Sequence, residues 1–290
     1  MSDAATHPLM AKGEITIVPG VYDVLSARMA RKVGFRGAVL TGYGVAASYL
    51  GEPDFGLLTQ TEILDTARRI LDRVDIGLMV DGDTGFGGPL NVQRMVRELV
   101  KMGAMGILLE DQTWPKRCGH MRGKDVINAE EHAAKIRAAV DARGDAPFIV
   151  TARTDAIMTH GIDEAIRRAR LYKEAGANVL FVEGPRNEDE IRKIGESLPA
   201  PLAINLIEGG DTPLITPEEV KQMGFFSMGF VLTGLFSAAF ALEQAYGHLL
   251  AHGESESLRD RMLDFPRFVD FIGVQERYDD DARYQTRDDG

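Results

Sequence analysis

Eight short apolar runs recur along the chain, each bounded by glycine or proline. They are EITIVPG (14–20), FRGAVLTG (35–42), IGLMVDGD (76–83), MGILLED (105–111), PFIVTARTD (147–155), ANVLFVEG (177–184), PLAINLIEG (201–209) and GFFSMGF (224–230). Each is rich in Val, Ile, Leu or Phe and too short for a helix, which predicts strands buried on both faces. Between them lie segments with apolar positions at helical spacing, among them VLSARMARKV, LNVQRMVRELVKM, AEEHAAKIRAAVDA, IDEAIRRARLYKEA and TPEEVKQM. The last opens Thr-Pro-Glu-Glu, so Thr216 is the expected N-cap with proline at the first helical position. Strands alternating with helices predict a parallel sheet covered by helices. A doubly wound open sheet would alternate in the same way. The count of eight, and the lack of GxGxxG after the first run, favour a (β/α)8 barrel. Without a linker-like stretch, residues 1–290 read as one barrel domain, in which about 254–290 form a helical extension and a frayed acidic tail.

Composition narrows the function. With 33 Lys and Arg against 44 Asp and Glu, the formal charge is −11, and no basic run stands out. Nucleic acid is therefore not an expected partner, because phosphate binding needs a cationic face. No run approaches the roughly 20 apolar residues of a membrane span, and the start lacks the apolar core of a secretory signal. The cytoplasm is the expected compartment. A single cysteine excludes an intrachain disulfide and any multi-cysteine metal site.

A barrel of this kind carries its chemistry at the C-terminal ends of its strands. There the runs end in Thr41, Asp81 and Asp83, Glu110 and Asp111, Arg153 and Asp155, Glu183, and Asn205 with Glu208 just beyond. Any one of these could simply cap the next helix, whereas convergence of them all would make a site. In VDGDTGFGG (80–88), Asp81 and Asp83 alternate along a strand end and point to one side. Hard oxygen ligands beside a glycine-rich turn suit Mg²⁺, which keeps several waters. An Asp/Gly-rich turn without metal is the plainer reading, and a phosphate loop lacks its Lys-Ser/Thr. Arg153 at a strand end fits either a bound carboxylate or phosphate, or a structural ion pair.

Cys118 lies in PKRCGH, where Lys116, Arg117 and His120 would favour thiolate over thiol. Gly119 allows a turn, so this segment is expected to form a lid. The alternative is an inert structural cysteine.

Taken together, these stretches resemble the isocitrate lyase / phosphoenolpyruvate mutase superfamily. The resemblance runs through PGVYDVLSA (19–27), GEPDFGLLT (51–59), VDGDTGFGGPLNVQR (80–94), LEDQTWPKRCGHMRGK (109–124), ARTDA (152–156), RLYKEAGAN (170–178) and NLIEGGDTP (205–213). It covers nearly the whole chain and, within the superfamily, points to the petal death protein-like 2-alkylmalate lyases, the oxaloacetate acetylhydrolases and 2,3-dimethylmalate lyase. It implies a (β/α)8 barrel whose last helix is swapped between subunits of a homotetramer. It also implies Mg²⁺ or Mn²⁺, with Asp81 as direct ligand and Asp54, Asp83 and Glu110 acting mainly through waters. Thr41 and the backbone amides of Gly42 and Tyr43 would hold a small dicarboxylate substrate, with Arg153 bonding the same end. Glu183, Asn205 and Glu208 would line the pocket, and His120 would travel with the cysteine loop.

The cysteine marks members that cleave carbon–carbon bonds. The resemblance thus implies cleavage of a 2-hydroxy dicarboxylate, or of hydrated oxaloacetate, between C2 and C3, with Cys118 as general acid. Tyr22, Asp54 or a metal-bound water would be the base. An oxaloacetate decarboxylase, a 2-methylisocitrate lyase or a phosphonopyruvate-type enzyme are the alternatives on the same scaffold, and a non-catalytic barrel is a further one. Ile207-Glu208-Gly209-Gly210 stands where methylisocitrate lyases carry Thr-Glu-Phe-Gly, which argues against a tricarboxylate.

Overall fold

Each of the eight apolar runs carries one strand of the computed structural model, β1 alone reaching one residue past its run, and the structure describes residues 15–119, 123–199 and 201–285. The strands are β1 (Thr16–Val21), β2 (Gly37–Leu40), β3 (Gly77–Asp81), β4 (Gly106–Glu110), β5 (Ile149–Thr154), β6 (Val179–Val182), β7 (Leu202–Asn205) and β8 (Ser227–Phe230). All pair in parallel in sequence order, and β8 returns to β1, so the sheet is a closed barrel. The (β/α)8 expectation holds. Continuous burial explains the uninterrupted apolar runs: every residue of β5 and β6 is buried.

The helices are α1 (Val24–Lys32), α2 (Gly42–Val45), α3 (Gln60–Leu71), α4 (Pro89–Lys101), α5 (Ala129–Arg143) and α6 (Ile157–His160). They continue with α7 (Ile162–Glu174), α8 (Glu188–Ser197), α9 (Pro217–Gln222), α10 (Thr233–His252), α11 (Phe265–Ile272) and α12 (Val274–Ala282). Their apolar stripes close the outer layer: Ile63, Ile70, Val92, Met95, Leu99, Ile136 and Tyr172 are fully buried against the strands. Local chemistry fixes several starts. Thr216 accepts from Glu219 N in a capping box with Pro217 at the first position, as its sequence predicts. Thr59 and Glu62 do the same for α3.

The chain divides into two compact units, residues 1–236 and 237–290, with the boundary inside α10. The first holds the barrel. In the second, α11 and α12 follow a short 3-10 turn at Glu256–Arg261. No residue of α10 is buried, although the helix is predominantly apolar.

The two ends of the barrel differ in chemistry. The N-terminal end opens on a mainly apolar cavity of about 270 Å³, lined by side chains such as Ile17, Met79, Ile149, Val179 and Phe181. The acids and buried cations gather at the other end.

Candidate active site

Register brings the polar strand ends together. Parallel pairing sets Glu110 at the end of β4 beside Arg153 in β5. The chain after β3 turns sharply: Asp83 and Phe86 take φ of 47° and 54°, and Gly85 and Gly87 take 89° and 140°. Left-handed backbone is tolerable for Asp and strained for Phe, so the DGDTGFGG turn stores strain beside the acids. Asp81 is pinned by two amides, Gly42 N at 3.1 Å and Asp83 N at 3.2 Å.

The resulting cavity is small, about 60 Å³, lined by Thr41, Tyr43, Asp54, Asp81, Glu110, Lys116, Cys118, Arg153, Glu183 and Asn205 among others. A space of this size suits a compact ligand. One wall is apolar, built from Ile207, Val231 and Leu232 with Tyr43 packed against them.

Arg153 is the hub. Its Nε and Nη2 donate to the two oxygens of Asp155 at 2.8 and 2.9 Å, Nη1 lies 3.2 Å from Glu183, and Nε lies 3.4 Å from Glu110. The bidentate face that the sequence offers to a ligand is thus taken by Asp155. Burial opposes ionisation of Asp155, but Arg153 and Lys124 outweigh it and hold the carboxyl well below its usual range. Behind this pair, Asp111 accepts from Tyr172 OH, Thr154 Oγ1, Asp155 N and Arg168 Nη1 at 2.6–3.0 Å. That network fixes the ends of β4 and β5 against α7.

The cysteine loop lies over this floor. Lys116 Nζ is 2.7 Å from Asp54 Oδ1 and 2.7 Å from Asp83 Oδ1, and Cys118 N donates to Asp54 O at 3.3 Å. Lys124 Nζ bonds Gly119 O and Asp155 Oδ1. Gly119 rests directly on Arg153 and Glu183: a Cβ there would collide with Arg153 Nη2 and meet Glu183 Cγ at 2.6 Å. At the entry of the loop, Trp114 packs against Phe86 with ring centroids 6.3 Å apart.

Do these residues fit a divalent cation? Among the described residues, no three His, Cys, Asp or Glu side chains converge to grip a metal directly. The carboxylates are nevertheless under-satisfied, since the buried Asp83 Oδ2 and Glu110 Oε1 have no hydrogen-bond partner. Burial pushes the Asp83 carboxyl up to about 7 against the pull of Lys116, with Asp81 and Asp54 adding repulsion. Burial likewise raises Glu110 well above the usual range, despite Arg153 and Lys116. An acid cluster that is expensive to ionise without further positive charge fits a hydrated cation such as Mg²⁺, held directly by few carboxylates.

The structure places the remaining candidates as follows. Gly42 N donates to Asp81 Oδ2. Glu208 is exposed and bonded to Thr233, outside the cavity lining. Tyr22 is half-buried and does not line the cavity, and burial followed by Asp23 raises its phenol, which keeps it protonated. Lys116 turns to Asp54 and Asp83, and Arg117 lies 5.1 Å from the Phe55 ring centre. His120 lies outside the described residues. Lys116, Lys124 and Asp155 form ion pairs that the sequence did not reveal. Their signal was present in PKRCGHMRGK and ARTD, as charges in segments expected to reach the site.

The phosphoenolpyruvate phosphomutase family model matches residues 6–249. The chain is similar to the petal death protein of Dianthus caryophyllus, at 48% identity covering 97% of this chain and 88% of the relative. It superimposes on a structure of oxaloacetate acetylhydrolase in complex with the inhibitor 3,3-difluorooxalacetate with a TM-score of 0.89, at 38% identity over 97% of this chain and 96% of the other. A structure of 2,3-dimethylmalate lyase, a PEP mutase/isocitrate lyase superfamily member, gives 0.90 at 34% identity over 100% and 98%.

Proposed function

Starting from the fact that the chain belongs to the phosphoenolpyruvate mutase/isocitrate lyase superfamily, we propose that it is a divalent-metal-dependent carbon–carbon lyase. Its substrate would be a 2-hydroxy dicarboxylate of the 2-alkylmalate type, or hydrated oxaloacetate, cleaved between C2 and C3. The observation that carries this reading is that Cys118 lines the same small cavity as Asp81, Glu110 and Arg153.

Asp81 would hold the metal, with Asp54, Asp83 and Glu110 acting through water. Mg²⁺ or Mn²⁺ would supply charge stabilisation at the C1 carboxylate and C2 oxygen. Arg153, steered by Asp155 and Glu183, presents fixed positive charge to the same end of the substrate. Thr41, Tyr43 and Asn205 line the remainder of the polar wall. As the C2 hydroxyl loses its proton, the C2–C3 bonding pair moves onto C3 and C2 becomes a ketone. The Cys118 thiol then delivers its proton to C3, leaving a thiolate, a 2-oxo acid and a saturated carboxylate. From hydrated oxaloacetate the products are oxalate and acetate. Of the two side chains considered as base, Asp54 lines the cavity and Tyr22 does not, which favours Asp54.

The apolar wall of Ile207, Val231 and Leu232 supports an alkyl substituent on that side and offers no cation to a third carboxylate. A homotetramer that shares the last barrel helix fits the unburied, apolar α10.

The test is release of 2-oxo acid from a panel of 2-alkylmalates, and of oxalate from oxaloacetate, with Mn²⁺ present. Cys118→Ser should lower kcat by at least about 10² while Mn²⁺ binding persists, the size typical of losing a general acid. Full turnover by this variant would remove Cys118 from the proton-donor role. No cleavage of any of these substrates by the wild type would overturn the lyase reading.

A further inference from the structure

Lys116 is 3% exposed, and its ammonium lies among carboxylates on two separate loops. An ammonium this deep would be costly without partners. It has three contacts within 2.9 Å: both oxygens of Asp54, at 2.7 and 2.9 Å, and Asp83 Oδ1 at 2.7 Å. Two residues on, Cys118 N reaches the carbonyl of the same Asp54. The loop that carries the thiol is therefore docked by side chain and backbone on one acidic residue.

Those partners are also acids assigned above to the cation. The ammonium and a divalent ion thus draw on the same negative charge, and the deeper the pocket the less water screens them from each other. Lys124 provides an internal contrast. It also ties the loop down, through Gly119 O, but its carboxylate is Asp155, which pairs with Arg153. One lysine shares carboxylates with the cation; the other sits on the arginine side.

We propose that Lys116 is a positioning residue that docks the Cys118 loop on Asp54 and Asp83, and that this docking and divalent-cation binding oppose each other through the shared carboxylates. The linkage is reciprocal: whatever the bound ion does to the loop, the docked loop does to the ion's affinity. The ion loosens the loop and admits substrate, and the negative charge of a bound dicarboxylate draws Lys116 back. This inference rests on the metal assigned under the proposed function.

The single cysteine makes docking measurable in the full chain. The plateau rate of iodoacetamide labelling at alkaline pH would be recorded with and without Mn²⁺, alongside the Mn²⁺ dissociation constant from electron paramagnetic resonance. Wild type, Lys116→Met and Lys124→Met would be compared. Metal-free Lys116→Met should label about tenfold faster than wild type, and should bind Mn²⁺ about fivefold more tightly, the size of an ordinary coupling between sites. Its labelling should no longer respond to Mn²⁺, whereas wild-type labelling accelerates. Lys124→Met should label faster at unchanged Mn²⁺ affinity. Damage to the site would weaken Mn²⁺ binding, so the sign separates the two explanations. Wild-type labelling rates in metal-free Lys116→Met, or Mn²⁺ affinity equal to or weaker than wild type, overturn the proposal. A wild-type protein that binds no Mn²⁺ refutes the metal and the linkage together, while metal-free labelling still decides the docking.

Discussion

His132 on α5 is fully buried, edge-on to Tyr172 at 4.6 Å between ring centres. Neither ring nitrogen has a well-formed hydrogen bond, and the Leu109 backbone offers the ring only a weak one. Burial, with help from Lys135 and Arg168, lowers its pKa to about 3. The unfolded chain would take up this proton near pH 6.5 while the folded protein refuses it. Stability from the neutral ring is therefore complete above pH 6.5 and is lost as pH falls from 6.5 towards 3. His132→Phe should flatten the acid limb of a urea-unfolding stability profile by up to about 1.4 kcal/mol per pH unit in that window. Parallel profiles for the two proteins would show that the imidazole is already paired or charged. The sequence marked His132 as a histidine in a helix and nothing more, because its environment comes from α5, α7 and the barrel packing together. The same limit explains the lysines. That Asp81, Glu110, Arg153 and Cys118 approach one cavity was legible from strand ends and one loop. That Lys116 reaches Asp54, 62 residues away, was not, since nothing local encodes a long-range partner.

At the scale of elements, two kinds of junction hold the frame and they differ in weight. The Thr216 capping box is exposed and local, and Thr216→Ala should cost about 1 kcal/mol. Asp111 joins β4, β5 and α7 through four buried bonds, one from the Arg168 guanidinium. Asp111→Ala should cost about 3–5 kcal/mol in chemical denaturation, because it strands a buried cation as well as removing bonds. Arg168 also donates to Glu164 Oε1 at 2.9 Å and to Ile127 O at 2.8 Å, so equal costs for the two variants would mean that these two acceptors satisfy it alone. Element identity was the most readable layer. The strands are buried runs and α9 has its cap written in four residues, whereas α10 offers little polar face against which a helical period could stand out.

For the whole molecule, alternation made the sheet parallel, and the count of eight with no GxGxxG after the first run separated the closed barrel from a doubly wound open sheet. No helix of the described residues is long and apolar enough to cross a membrane. The apolar surface instead argues for other copies of the chain. On α10, Phe240 and Tyr246 are 64% exposed and Leu250 is 91% exposed. If the proposed homotetramer forms, sedimentation should find a species about four times heavier than the 31.8 kDa chain, and a Phe240→Glu variant should shift it towards smaller species. A wild-type monomer at assay concentrations would rule the tetramer out.

The Trp114–Phe86 contact adds an optical dimension. The chain has one tryptophan, half exposed, where the cysteine loop begins and beside the strained turn of the acid cluster. Its emission comes from the entry of that loop and no other place in the molecule, so the loop carries a native fluorophore.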